Sequence, residues 1–309
     1  STNLTFAEAG ATLAPPLPHL ICWNFLHESW SMKTGLLPKL LLTPSALLVL
    51  VCVYGYIMFT VYLSFTTSTM LPSYEWAGSA NYQRLMGLEN WAVSLSNLWV
   101  FAGLYILIAL GLGLGLAILI DQKVRAESAF RSIFLYPMAL SFIVTGTAWK
   151  WLLDPGVGLE HTLQTLGWEG FAFGWIKDAD MAIYCVVIAA VWQTAGFVMA
   201  MFLSGLRGVD GEQINAARLD GAKTWQIYQR IIIPQLGPVF ISAFVILAHM
   251  AIKSYDLVIA LTNGGPGRST WLPSVFMYQY TFTRNEMAVG AASSVLMLIA
   301  IGVVVLPYM

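Results

Sequence analysis

The sequence predicts an all-α, polytopic membrane protein with six transmembrane helices and a cytoplasmic helical element between the fourth and the fifth. Three observations carry that expectation. Of 309 residues, 58% are hydrophobic and only 10% are charged, whereas soluble domains carry roughly 25% charged residues. A chain so poor in charge cannot cover a surface in water, so the bilayer is its solvent. Six apolar runs approach or exceed the ~20 residues that cross the hydrocarbon. Between two of them lies a polar stretch at residues 211–238, GEQINAARLDGAKTWQIYQRIIIPQLGP, far longer than a connecting turn requires.

Residues 1–36 come first. Pro15, Pro16 and Pro18 break any helix there. The patch LICWNFL is too short to span, and no basic start precedes an apolar run, so no signal peptide is read. The expectation is a poorly ordered or surface-lying cytoplasmic tail, in which the Asn3-Leu4-Thr5 sequon would go unmodified. The spans are expected at 46–65, 98–120, 133–149, 181–206, 239–261 and 287–309. The third is the shortest and contains Pro137, yet the topology of the fifth and sixth requires it. The chain stops right after its last apolar run, which suggests a further C-terminal tail.

Lysine and arginine set the orientation. With both termini cytoplasmic, the inner side holds Lys33, Lys39, Lys123, Arg125, Arg131, Arg207, Arg218, Lys223 and Arg230. The outer side holds Arg84, Lys150, Lys177, Arg268 and Arg284. Nine against five favours this arrangement and makes residues 211–238 cytoplasmic. Trp91, Trp149, Trp151, Trp168 and Trp175 then fall near the outer interface, where indole rings settle.

Several chemistries are excluded. A net charge of −1 offers no field for nucleic acid. Cys22, Cys52 and Cys185 have neither metal nor disulfide spacing, and His19, His27, His161 and His249 are too scattered for a catalytic set. Gly221-Ala222-Lys223-Thr224 resembles the end of a phosphate-binding loop, but that pattern needs glycine before the lysine. Gly264-Gly265-Pro266-Gly267 reads as a tight outer turn. Gly111 and Gly115 form a GxxxG pattern on the second span and are expected to pack closely on another helix.

The polar element reads as two short helices. Asp210 caps the first and Gln213 is placed to complete a capping box. Ile214, Ala217 and Leu219 give it an incomplete apolar face. Gly221 supplies the left-handed residue that ends it. Trp225, Tyr228 and Ile232 follow at helical spacing, and Pro234 marks the turn into the fifth span. Small Ala216 and Ala217 admit a close neighbour, with Arg218, Asp220 and Lys223 offering charged contacts around them. Two readings stay open on these residues alone: a docking surface for a soluble partner, and an interfacial helix lying among headgroups.

Candidates for solute contact lie inside the spans, where a Lys or Asp costs about 2.5–3.5 kcal/mol and needs a partner or a function. Lys253 and Asp256 stand three apart on the fifth span, a spacing that pairs charges along one helix face. Lys253 lies about 21 Å along that span from its inner end. His249 is one turn below it and Ser254 beside it. A structural ion pair and a place in the solute pathway are the alternatives. Trp192 and Gln193, with Thr194, sit midway along the fourth span. Gln193 both donates and accepts, as a sugar hydroxyl requires, and Trp192 offers a ring face. Helix–helix hydrogen bonding is the alternative for them. Thr145 and Thr147 read as packing residues.

The polar element resembles the signature loop of inner-membrane permease subunits of bacterial ABC importers. That loop has Glu-Ala-Ala, three residues, Gly, then about nine residues to Ile-x-Leu-Pro; Ala216, Ala217, Asp220, Gly221, Ala222, Ile231, Ile233 and Pro234 stand in register. The sequence departs at Asn215, where the pattern has Glu, and at Ile233, where it has Leu; Glu212 lies three residues early. The likeness extends over residues 37–309, through TPSALLVLVCVYGYIMFTVYLSFT, FRSIFLYPMALSFIVTGTAWKWLLDPGVG, SYDLVIALTNGGPGRST and VGAASS. It is similar to the carbohydrate-uptake branch, in wording to permeases for glucose or related aldoses.

The resemblance implies a tail over 1–36 and a transmembrane domain over 37–309, with the coupling element at about 210–235. It implies a permease that performs no covalent catalysis and needs no cofactor of its own, with ATP and Mg bound by a separate ATPase dimer. Other implied partners are a second permease, a periplasmic sugar-binding protein meeting the loops at 151–180 and 264–284, and the lipid of the bacterial inner membrane; nucleic acid is not among them. Glu212, Asn215, Ala216, Ala217, Asp220, Gly221 and Ala222 would contact the ATPase. The window before the TNGGP turn, which in related permeases touches the sugar, holds Ala251, Lys253 and Ser254. The rival readings are a gradient-driven secondary transporter using Lys253 and Asp256 as a relay, and a non-transporting membrane scaffold or enzyme.

Overall fold

A computed structural model describes residues 36–71, 73–122 and 125–308. The tail expected at residues 1–36 is outside the described residues except for Leu36, as is Lys123. The chain divides into two units, 1–57 and 58–309. The first is described from α1 (Leu36–Val49), through a π-type turn (Leu50–Tyr54), to the start of α2 (Gly55–Ser64).

The second unit is helical throughout, and among the described residues its only β pairing is a single bridge between Thr66 and Trp76. It runs through α3 (Ala80–Gly87), α4 (Glu89–Asp121), α5 (Glu127–Ala139), α6 (Phe142–Leu153) and α7 (Leu159–Thr165). Then come α8 (Ala182–Arg207), α9 (Gly211–Leu219), α10 (Thr224–Ile227), α11 (Ile233–Gln235) and α12 (Gly237–Ile252). The chain ends with α13 (Asp256–Thr262), α14 (Pro273–Tyr278) and α15 (Met287–Val305).

Four helical stretches are long and apolar enough to cross a membrane alone: Leu42–Ser64, Glu89–Asp121, Ala182–Arg207 and Met287–Tyr308. Two further crossings exist only if bent pairs count as one span each, so the expectation of six is met with two of them broken. Residues 133–149 are not one helix: α5 and α6 meet at 99° across Leu140 and Ser141. Ser141 accepts a hydrogen bond from the Val144 backbone N–H and so caps α6 as a new helix. The expected helix over 239–261 is also interrupted. Helix α12 ends at Ile252, and α13 starts only at Asp256. The bend below it, 64°, falls at Leu236, two residues beyond Pro234.

The core is centred on α8. Of its most apolar stretch, 72% is buried within the chain, against 28% for α4, so α8 is the post around which the others pack. Helix α4 lies along it through Phe101, Tyr105, Ala109, Gly113 and Ala117, each buried and four residues apart. A Cβ on Gly113 would stand 2.5 Å from the Val198 side chain. Gly111 and Gly115, expected to make this contact, face open space. They sit about 160° round the helix from Gly113. Helix α5 crosses α8 just as tightly, since a Cβ on Gly196 would overlap the Phe134 carbonyl. A smaller cluster joins Leu85, Trp91, Phe276, Tyr280 and Val289. Trp91 is thus inside the protein, edge-on to Phe276, and not at a lipid interface.

Candidate functional site

Lys253 closes α12 and Asp256 opens α13, with Ser254 and Tyr255 between them. The helical face on which they were expected to pair does not exist, and among the described residues they form no ion pair. The break itself solvates them. Lys253 lies at the carbonyl end of one helix and Asp256 at the N–H end of the next, the favourable position for each sign. The Ser254 carbonyl, released from the helix ladder, accepts from the Ser274 hydroxyl at 2.6 Å.

His249, Lys253, Ser254 and Asp256 line one cavity of about 170 Å³, so four of the six pathway candidates come together. Phe101 and Tyr105 of α4 face them, their rings parallel to within 1° at 5.5 Å. Lys253, Tyr255 and Asp256 also border a second, more open cavity of about 440 Å³, whose far side is formed by Ser274, Tyr278 and Ser294. The break therefore stands as a partition between two cavities, carrying one charge of each sign. The aromatic walls escaped the sequence reading. The i, i+4 spacing of Phe101 and Tyr105 was visible, but nothing local shows that they face Lys253.

Trp192 and Gln193 are not in this group. Gln193 is buried, and its amide donates to the Leu140 carbonyl at 2.9 Å, serving the broken backbone between α5 and α6. Trp192 packs edge-on to Trp149 with centroids 5.9 Å apart. Thr194 donates to Ala190 of its own helix, and Thr147 to Ile143. Thr145 is buried in α6 beside Gly146, which abuts α13.

The polar element forms a second candidate surface. Asp210 accepts from the Glu212 N–H at 2.9 Å and caps α9. The expected capping box is not made, because Gln213 instead accepts from Gln235 at 2.8 Å and ties α9 to α11. A side-chain return bond of that kind occurs one helix later, from the Lys223 N–H to Gln226. Helix α9 ends in a Schellman arrangement. The Ala222 N–H reaches the Ala217 carbonyl, the Gly221 N–H reaches that of Arg218, and Gly221 has φ +81°. Ile214, Ala217 and Ala222 pack onto the main core. That leaves Glu212, Asn215, Ala216, Asp220 and Gly221 exposed. Leu219 does not join the apolar face. It points outward and is 89% exposed.

Below this element, the Tyr228 hydroxyl donates to the Asp121 carboxylate at 3.1 Å. Arg207 pairs with Glu127 at 2.6 Å, and Arg131 approaches the same carboxylate at 3.6 Å. At the opposite end of α4, the Asn97 amide donates to the carbonyls of Arg268 and Trp271, and Arg268 reaches Asn90. Among the described residues no three His, Cys, Asp or Glu side chains converge as a metal site.

Residues 108–308 match the family described as binding-protein-dependent transport system inner membrane component. A probable ABC transporter permease protein of Pyrococcus horikoshii is 42% identical over 272 residues, 87% of this chain and 93% of that protein. The xylose/arabinose import permease protein XacH of Haloferax volcanii is 34% identical over 267 residues, 82% of this chain and 81% of that one. The fold is similar to that of a bacterial alginate ABC transporter solved in complex with an alginate pentasaccharide-bound periplasmic protein, with a TM-score of 0.76 at 18% identity, covering 93% of this chain and 95% of that one.

Proposed function

The chain belongs to the family of inner membrane components of binding-protein-dependent transport systems, and from that membership we propose that it is the permease subunit of an ATP-driven sugar importer, forming half of the solute path. ATP hydrolysis is the work of a separate subunit, as in the ABC permeases it resembles. The substrate in this proposal is glucose or a related aldose. An aldose permease among its relatives supports the class, and the cavity between α4 and the α12–α13 break supplies hydroxyl donors, acceptors and ring faces of the kind a sugar binds.

The observation that carries the reading is the α9–α10 element. It is polar, folded and capped, it lies between two apolar spans, and it presents Leu219 almost fully to the outside. An exposed leucine flanked by small and polar residues suits contact with a partner's surface. Ile214, Ala217 and Ala222 pack inward, and Leu219 projects beside Glu212, Asn215, Ala216, Asp220 and Gly221 as a contact for the ATPase. In this scheme both termini and the element are cytoplasmic, residues 1–36 are a tail, and 37–309 are the transmembrane domain. A second permease completes the path, ATP and Mg sit in the ATPase dimer, and a periplasmic binding protein meets the loops at 151–180 and 264–284. Closure of the ATPases moves the element and alternates access to the cavity.

The test is purification of the chain from membranes in mild detergent, with identification of what accompanies it and uptake measured over a panel of labelled aldoses. The expected result is a second permease and an ATPase. Leu219→Glu and Gly221→Asp should each release the ATPase while the two permeases stay together. A chain that purifies alone and still supports uptake overturns the importer reading.

A further inference from the structure

We propose that the hydrogen bond from the Tyr228 phenol to the Asp121 carboxylate is the joint through which the coupling element moves the α4 wall of the cavity. The inference rests on the importer reading and gives a positioning role to a pair that reading leaves unused. It starts from the two walls of the cavity. One wall, with His249 and Lys253, is the upper part of α12. The coupling element is covalently continuous with it through α11 and the bend at Leu236. The other wall, with Phe101 and Tyr105, belongs to α4, which precedes the element by a hundred residues and has no such link.

Helix α4 is suited to carry motion. It is unbroken over 33 residues, whereas the spans built from α5–α6 and from α10–α12 are both bent. An intact helix has all its backbone bonds internal and moves as a rod. From Asp121 at its end to Tyr105 at the cavity is 16 residues, about 24 Å. Its contact with α8 runs along Ala109, Gly113 and Ala117, where Val198 sits against Gly113. A directional bond at the end of the rod adds a fixed point through which a displacement acts on it.

Asp121 is the last residue of α4, and its carboxylate is met at 3.1 Å by Tyr228. Tyr228 sits where α10 passes into a π-type turn (Tyr228–Ile232), held by the buried side chains of Ile227 and Ile232. Gln213 and Gln235 fasten α9 to the same body. A displacement of α9 thus reaches both walls at once, one through the chain and one through the joint. Without the joint, the α4 wall follows through packing alone.

The experiment uses the co-purified transporter in proteoliposomes, reading ATP hydrolysed and labelled sugar accumulated, with the chain alone in detergent as a second readout. Tyr228→Phe keeps the ring and removes the donor. It should leave assembly and basal hydrolysis unchanged and lower the sugar moved per ATP by about fivefold or more, the lower range of measured couplings between sites. Asp121→Asn keeps an accepting oxygen and should retain coupling, whereas Asp121→Leu should match Tyr228→Phe, with the double variant no worse than either. In the chain alone, melting of the same variants should give a non-additive cycle. Wild-type transport per ATP in Tyr228→Phe overturns the proposal, and so does an additive cycle in the chain alone. That cycle decides the joint whether or not the complex proves to be an importer, while the importer reading is decided by whether wild-type uptake requires ATP.

Discussion

Lys253 sits where α12 ends and Asp256 where α13 begins, and this placement does what an ion pair would otherwise do. The ends of the broken helix stabilise both charges, which leaves their polar atoms available to the two cavities they border. With no ion pair between them, both keep more of their hydrogen-bonding capacity for a solute. Lys253→Met tests that availability, because methionine keeps the reach and apolar stem of lysine and removes the charge. Assembly should be unchanged, and the KM for sugar uptake should rise about tenfold, the loss of one charge-assisted hydrogen bond of about 1.5 kcal/mol. Uptake kinetics identical to wild type would make Lys253 a structural residue. The lysine and aspartate themselves were legible as membrane charges that need a reason. That they flank a helix break was not, because no glycine or proline interrupts the sequence between Ile252 and Asp256.

At the scale of elements, the helices were legible from their apolar runs and the polar element from its caps, while the partners of each helix were not. Helix α4 carries two stripes of small residues: Gly111 with Gly115, and Ala109 with Gly113 and Ala117. Both satisfy the small-xxx-small pattern, and only the position of α8 selects the second. Pro137 signalled a disturbance in the third span. The break falls beyond it at Leu140, where Gln193 supplies the hydrogen bond the helix lost. That contact spans 53 residues of sequence, so local reading does not reach it. These packing arguments predict unequal responses to adding one methyl group. Gly196→Ala would press on the Phe134 backbone, which cannot yield as a flexible side chain does, and should cost about 1–3 kcal/mol. Gly111→Ala meets open space and should leave stability unchanged or slightly improved. Thermal melting of the purified chain in detergent checks both, and equal melting temperatures for the two variants would contradict the described crossing of α5 on α8.

For the whole molecule, the source of energy separates the importer from a gradient-driven carrier. A carrier coupled to protons needs ionisable groups that hand the proton across the bilayer. The long spans offer none: α4 is charged only at Glu89 and Asp121, α8 only at Arg207, and α15 not at all. His249, Lys253 and Asp256 are gathered around one cavity beside the helix break, an arrangement that suits binding more than a relay across the bilayer. The remaining charged pairs lie at the ends of the bundle, Arg207 with Glu127 at one and Arg84 with Glu286 at the other, where they fasten helices to one another. In the importer reading energy enters from outside the bilayer, through the folded polar element α9–α10. Uptake by the reconstituted complex should continue when an uncoupler collapses the proton and ion gradients, provided that ATP is supplied on the side of the element. It should stop when ATP is replaced by a non-hydrolysable analogue. The opposite pattern, uptake lost with the gradient and indifferent to ATP, would return Lys253 and Asp256 to the role of a relay and leave Leu219 without a partner.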